Sequence, residues 1–302
     1  MVAPAGQQPE RLAWKRATVN GRQVLYGVAG EGQPVLFLHG WGLGQHSYKE
    51  ALSKLVALGC RVYAPALPGF GGTSDLPGDQ RSFAGYGDWV DELCSVLKID
   101  EPLFLVGHSF GGGVAIQFAH DHPERVRYVV LVNSVGGSAW RGDGKRMRSL
   151  AERPLWDWGL HFPADILPLP QITKILPVIL EDALPNLLRN PMALWRVGQL
   201  ARTADLRPEL EELKRRKTPV VILWGDHDRV IPRASFDALC EAIGHGGELV
   251  DGAHSWLLAD PDAFGEVMTN VLHVAELARA AEAVEAAEKG RKPPAPKSVG
   301  AL

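Results

Sequence analysis

Leu103-Phe104-Leu105-Val106-Gly107-His108-Ser109-Phe110-Gly111 is the stretch that decides how this chain is read. Its first four residues are an apolar run of the kind found in strands buried on both faces. A G-x-S-x-G pattern follows directly, and Gly112, Gly113, Val114, Ala115, Ile116, Phe118 and Ala119 continue as a helix. The serine then occupies a tight strand-to-helix turn and projects its hydroxyl from the sheet edge. Flanking glycines let that turn tighten and let neighbouring backbone come close. In a chain with 33 glycines the pentapeptide alone is a weak signal. The strand before it and the helix after it give it meaning.

Outward from this turn, residues 35–38 and 220–223 are further continuous apolar runs, and 61–64 and 126–132 supply two more strands. Residues 22–28 alternate, as in an antiparallel strand near a sheet edge, and 248–250 form a short last strand. Helical patterns separate these runs, with helices expected over 232–243 and from 261 to about 288. The fold class is therefore α/β, with a sheet that begins antiparallel and continues parallel. Strand signals vanish between 134 and 216, where prolines become frequent and Trp140, Trp156, Trp158 and Trp195 fall. That block reads as a separate helical unit. Pro170 and Pro177 each sit where a helix can begin, so two short helices or one kinked helix are expected there. Asn190-Pro191 supplies a cap and first-turn proline for a helix reaching about residue 204. The expected organisation is a core of 1–133 and 217–288, a helical cap of 134–216 and a disordered tail of 289–302. Arg291, Lys292 and Lys297 lie in that tail among three prolines without an acid, a solvated composition that offers at most a weak anionic-surface tether.

Composition narrows the function classes. The 302 residues are 46% hydrophobic and 22% charged, ordinary for a soluble globular protein, and the net charge of −3 gives no cationic footprint for nucleic acid. A small-molecule substrate is the default. Cys60, Cys94 and Cys240 have no zinc-like spacing and read as reduced, mostly buried thiols. The first sixteen residues lack the apolar segment of a secretory signal, and no run is long enough to span a membrane. Cytoplasmic residence follows, with at most weak peripheral membrane contact.

A serine hydroxyl near neutral pH needs a base to take its proton, and that base needs a third group to orient it. Trp224-Gly225-Asp226-His227-Asp228 follows the buried 220–223 strand, and Gly252-Ala253-His254 follows the last one. Asp226 competes with Asp228 as the acid, although Asp226 also suits a turn cap. The chain order Ser109, Asp228, His254 is the order this kind of strand–turn–helix nucleophile demands.

Taken together, these motifs resemble the α/β-hydrolase superfamily, as a capped serine hydrolase of carboxylesterase or lipase type. His39-Gly40-Trp41-Gly42 is similar to the family's oxyanion-hole segment, and Ala64 to Gly71 to its glycine-rich turn. The resemblance places the acid on Asp228 and inserts the cap after the sixth strand. It implies catalysis by Ser109, Asp228 and His254, an oxyanion hole from the backbone N–H groups of Trp41 and Phe110, and a substrate pocket involving His39, Gly40, His108, Trp140 and Trp256. Neither metal nor organic cofactor is implied. Ala66 and Ala259 depart from the acidic residues many relatives have there, which touches loop stability more than chemistry. The cap tryptophans, with the apolar stripe Ile172, Ile175, Leu176, Ile179 and Leu180, suit the cap's own small core and also a lining for an apolar substrate; Arg189 reads as a surface charge.

The expected reaction is hydrolysis of small-to-medium apolar carboxylic esters through an acyl-enzyme. Its rivals are a carbon–carbon bond hydrolase of the meta-cleavage-product type, weakly suggested by Gly136-Gly137 and Trp256, a cofactor-free perhydrolase, and a non-catalytic ligand-binding member of the fold. Epoxide hydrolases and haloalkane dehalogenases use an aspartate where Ser109 stands. Monomer and homodimer remain equally open.

Overall fold

The computed structural model describes residues 11–140, 148–149, 152 and 169–290. An eight-stranded sheet runs in the order β1-β2-β4-β3-β5-β6-β9-β10. Its strands are β1 (Ala13–Val19), β2 (Arg22–Ala29), β3 (Gln33–Leu38), β4 (Cys60–Pro65), β5 (Leu103–His108), β6 (Val126–Val132), β9 (Val220–Gly225) and β10 (Glu248–Val250). The pairs β1–β2 and β2–β4 are antiparallel and all others parallel, as the patterns predict. A second, minimal ladder joins β7 (Ala139–Trp140) to β8 (Arg148–Ser149). The sequence reading missed β1 of the main sheet, and the two-residue strands β7 and β8 fall in the block where no strand was expected. All residues of β1 except Val19 are exposed or half-buried, so that strand shows no core-facing pattern.

Among the described residues, helices α1 (Lys49–Ala57), α2 (Phe83–Val96), α3 (Phe110–Asp121), α4 (Leu169–Arg189), α5 (Pro191–Thr203), α6 (Arg207–Arg215), α7 (Arg233–Ile243), α8 (Trp256–Ala259) and α9 (Pro261–Gly290) flank or follow the strands, with short 3-10 turns at Gln45–Tyr48, Gly78–Gln80 and Pro123–Arg125. Every residue of β5 is buried. Its alternate side chains divide between two faces: Leu103 and Leu105 join Leu36, Leu38, Leu131 and Ile222 in one cluster with Val90, Leu93, Phe118 and Leu239 of α2, α3 and α7. Phe37 points the other way and meets Tyr48 at 4.8 Å between ring centroids, just before α1. This two-sided burial is what a continuous apolar run requires. Cys60 and Cys94 are buried and in no disulfide, and burial pushes the Cys94 thiol up to about 12, so Cys94 is an inert core residue.

Between β6 and β9 the regular elements of the described chain are helices α4 to α6, the β7–β8 ladder and a pair of isolated bridges from Gly136 and Gly137 to Asp205. One helix, α4, runs through Pro177 and Pro185, which rules out the two separate short helices and leaves the single helix of the two expected arrangements. Each proline withholds the N–H that would reach the carbonyl four residues back. Asn190 caps α5, its side chain accepting the Ala193 N–H at 3.0 Å, with Pro191 in the first turn. Trp156 and Trp158 lie outside the described residues. So does the expected tail from residue 291, while Lys289 and Gly290 are still helical. Residues 1–265 form one compact unit that includes the inserted helices, and 266–302 a second. Among the described residues no helix is long and apolar enough to cross a membrane.

Candidate active site

The β5–α3 turn bends at Ser109, whose φ of 53° and ψ of −117° are held against the preference of a residue with a side chain. Close backbone approach explains its glycines. A Cβ on Gly107 would come within 2.5 Å of the Gly111 carbonyl oxygen, and one on Gly111 within 2.2 Å of that of Leu38. Ser109 donates its N–H to Val132 at 3.0 Å, while its carbonyl accepts from Gly112 and Val135. The end of β6 thereby clamps the turn from both sides.

Two loops bring the other groups to this turn. His254, buried in the loop after β10, places Nε2 at 3.0 Å from Ser109 Oγ and Nδ1 at 2.8 Å from Asp228 Oδ2. A carboxylate only accepts, so Nδ1 carries the proton and Nε2 is left with a lone pair facing the hydroxyl. Asp228 is tied down on both oxygens: Oδ1 accepts from the Val230 and Ile231 N–H groups at 2.8 and 2.9 Å, and Oδ2 also accepts from Asn133 Nδ2 at 2.7 Å. Its competitor Asp226 instead accepts the Gly252 N–H at 3.3 Å.

His39 and His108 are both buried and neutral. Desolvation lowers His39 to about 4 and His108 to about 3, the latter helped by neighbouring His254. His39 donates from Nδ1 to the Gly40 carbonyl and accepts the Leu67 N–H at Nε2, both at 2.8 Å, so it braces the loop after β3. His108 donates from Nε2 to the His254 carbonyl at 3.0 Å. That fixes its tautomer, and Nδ1 must accept from the Tyr48 hydroxyl at 2.8 Å, which itself accepts the Gly40 N–H at 3.1 Å. One buried chain of hydrogen bonds thus links the three loops.

A small, partly open cavity lies among Gly40, Trp41, His108, Ser109, Ala201 and His254. The Trp41 indole N–H donates to the Leu194 carbonyl of α5 at 2.7 Å, which sets an inserted helix over this space. Two pocket expectations change. His39 and Trp256 do not line the cavity; Trp256 is buried, and its indole N–H donates to Asn133 Oδ1 at 2.9 Å. Its apolar ring was needed in the core, and its polar atom found a partner there. The Trp140 side chain lies outside the described residues. Asn133 is the residue the sequence reading missed: it also accepts the Gly225 N–H at 3.2 Å, joining the ends of β6 and β9. Its position directly after a buried strand was the signal available for it. Among the described residues, the side chains of metal-ligand type that come together are Asp226, His227 and Asp251, all exposed and without an enclosing shell.

Residues 35–267 match the profile of the alpha/beta hydrolase family. The chain is 32% identical to an uncharacterized protein of Mycobacterium tuberculosis (strain ATCC 25618 / H37Rv), over 86% of this chain and 81% of that one. It is 29% identical to a 2-hydroxy-6-oxo-6-phenylhexa-2,4-dienoate hydrolase of Comamonas testosteroni, covering 75% and 79% of the two chains. A pimeloyl-[acyl-carrier protein] methyl ester esterase of Aromatoleum aromaticum is 28% identical, covering 79% and 97%. Among solved structures, an esterase from Exiguobacterium antarcticum shares the fold with a TM-score of 0.67 at 19% identity, over 86% of this chain and all of that one.

Proposed function

The chain belongs to the alpha/beta hydrolase family, and from that premise we propose that it is a serine hydrolase acting on small-to-medium, largely apolar carboxylic esters. The observation that carries this reading is the relay from Asp228 through His254 to Ser109, at 2.8 and 3.0 Å, beside the Gly40–Trp41 backbone in one cavity. Ser109 Oγ attacks the ester carbonyl while His254 Nε2 takes its proton, and Asp228 stabilises the imidazolium that forms. The N–H groups of Trp41 and Phe110 receive the developing oxyanion; among the described residues neither has another acceptor. His254 returns the proton to the leaving alkoxide, and water then repeats the sequence on the acyl-enzyme to release the acid. No metal or organic cofactor enters any step.

The cavity is narrow and Ala201 of α5 stands on its wall, so a shift of α5 would widen it for a larger acyl group. The inserted helices would then act as the cap. The reduced, buried thiols of Cys60 and Cys94 suit a cytoplasmic enzyme.

Nitrophenyl esters of rising chain length, run beside Ser109→Ala, test the reading. Turnover on short to medium chains that falls by about 10⁶-fold in the variant is expected. The relative that hydrolyses a phenylhexadienoate favours a second reading, carbon–carbon bond cleavage by the same relay. Inertness toward every ester together with Ser109-dependent cleavage of a vinylogous diketone acid would replace the first reading with that one.

A further inference from the structure

The loop from Trp41 to Tyr48 leaves β3 without joining the sheet, so its backbone polar groups must find partners elsewhere. They find them on α4. Asp182 Oδ2 accepts the N–H groups of Gly44 and Ser47 at 3.2 and 2.9 Å and the Ser47 hydroxyl at 2.5 Å. Asn186 donates from Nδ2 to the carbonyls of Gly42 and Leu43 at 3.0 and 3.2 Å, and its Oδ1 accepts the Gly71 N–H at 2.9 Å. The two side chains sit one helical turn apart on the same face, and both are buried, at 8% and 5% exposure. Gly42, next to Trp41, takes φ +78°, and a Cβ on Gly44 would approach Asp182 Oδ2 to 3.1 Å. The loop is shaped to receive these two residues.

Resting on the reading of Ser109 and Trp41 above, we propose that Asp182 and Asn186 are positioning residues for the oxyanion hole. By gripping residues 42–47 they set the direction of the Trp41 N–H, so the hole is complete only while α4 is docked. Cap docking and oxyanion stabilisation become one event. An ester bound while α4 is displaced would meet the nucleophile and its base but lack one of the two donors.

The test uses the full chain, with Asn186→Leu, Asp182→Leu, the conservative Asp182→Asn, and Ser47→Ala, which removes a single bond of the grip. Three quantities are read: kcat and KM on nitrophenyl acetate, affinity for a trifluoromethyl ketone that forms a tetrahedral adduct on Ser109, and the rate at which a fluorophosphonate labels Ser109. The two leucine variants are expected to lose about 10- to 100-fold in kcat, in ketone affinity and in labelling rate together, with KM nearly unchanged. Asp182→Asn should recover most of the loss. Should the leucine variants fail to fold, Ser47→Ala carries the same parallel loss at a few-fold. Folded variants with wild-type ketone affinity and labelling rate overturn the proposal, as does a fall in kcat without a fall in ketone affinity. A wild type that is labelled but hydrolyses no ester overturns the substrate reading while the labelling rates still judge the grip; a wild type that is not labelled overturns both.

Discussion

The carboxyl edge of the sheet and helix α4 solve opposite problems. At the sheet edge, buried strands lead into the polar residues Ser109, Asn133 and, three residues beyond β9, Asp228, so apolar packing holds these side chains in a fixed place. Helix α4 reverses the usual polarity of a surface helix over its last turns. It buries Asp182 and Asn186 and exposes Leu180, Leu184, Leu187 and Leu188, the last at 74%. At 100° per residue these two sets fall on opposite sides of the helix. The core is held by apolar area, whereas α4 is attached to it through directional hydrogen bonds. A contact of the second kind fixes direction as well as attachment, since a hydrogen bond weakens steeply once its angle departs from linear. It suits a part that must dock accurately.

The largest effect that would break this comparison lies at the sheet edge. Asp228→Asn should lower kcat by about 10⁴-fold, because an amide can donate to His254 Nδ1 and so favour the wrong tautomer. Steady-state kinetics on a nitrophenyl ester measure it, and near-wild-type turnover would mean that His254 is oriented by something else. A paired substitution comes next. Fully buried Leu105→Ala should cost about 2–5 kcal/mol in urea unfolding, whereas Leu188→Ala should stay within about 0.5 kcal/mol. Equal costs would show the outer stripe of α4 to be covered in solution, and the contrast between the two regions would fail.

The smallest effect sharpens the core side of the comparison. Native His39 and His108, at about 4 and about 3, refuse protons that the unfolded chain takes up near 6.5. Between pH 6.5 and 4 the unfolded state therefore binds more protons, and stability must rise with pH, by about 1.4 kcal/mol per unit for each histidine. Denaturation midpoints across that window read the slope, and His108→Gln should remove one histidine's share of it.

Most of the sheet was legible because burial on both faces writes itself into short apolar runs. Strand β1 was not, since pairing with β2 holds it while its side chains face solvent. Ser109 could be picked out because it directly follows a strand, and His254 because it lies in the short loop after the last one. Local pattern did not separate Asp228 from Asp226; the family resemblance favoured Asp228, and in the structure Asp228 lies 2.8 Å from His254 Nδ1. The same limit separated His108, which lines the cavity, from Trp256 and His39, which brace the residues around it.

By itself the amino-acid sequence determined the order of strands and helices, the sharp turn at Ser109 and the chain order of hydroxyl, acid and imidazole. Those properties depend on neighbours a few residues away, whose pattern of apolar and glycine positions is local. The tertiary structure alone decided that Asn133 would hold Asp228, that Tyr48 and His108 would tie three loops together, and that α4 would grip residues 42–47 from more than 130 positions away. Hydrogen bonds between distant segments demand a register accurate to tenths of an ångström, and only the packing of the whole fold supplies it.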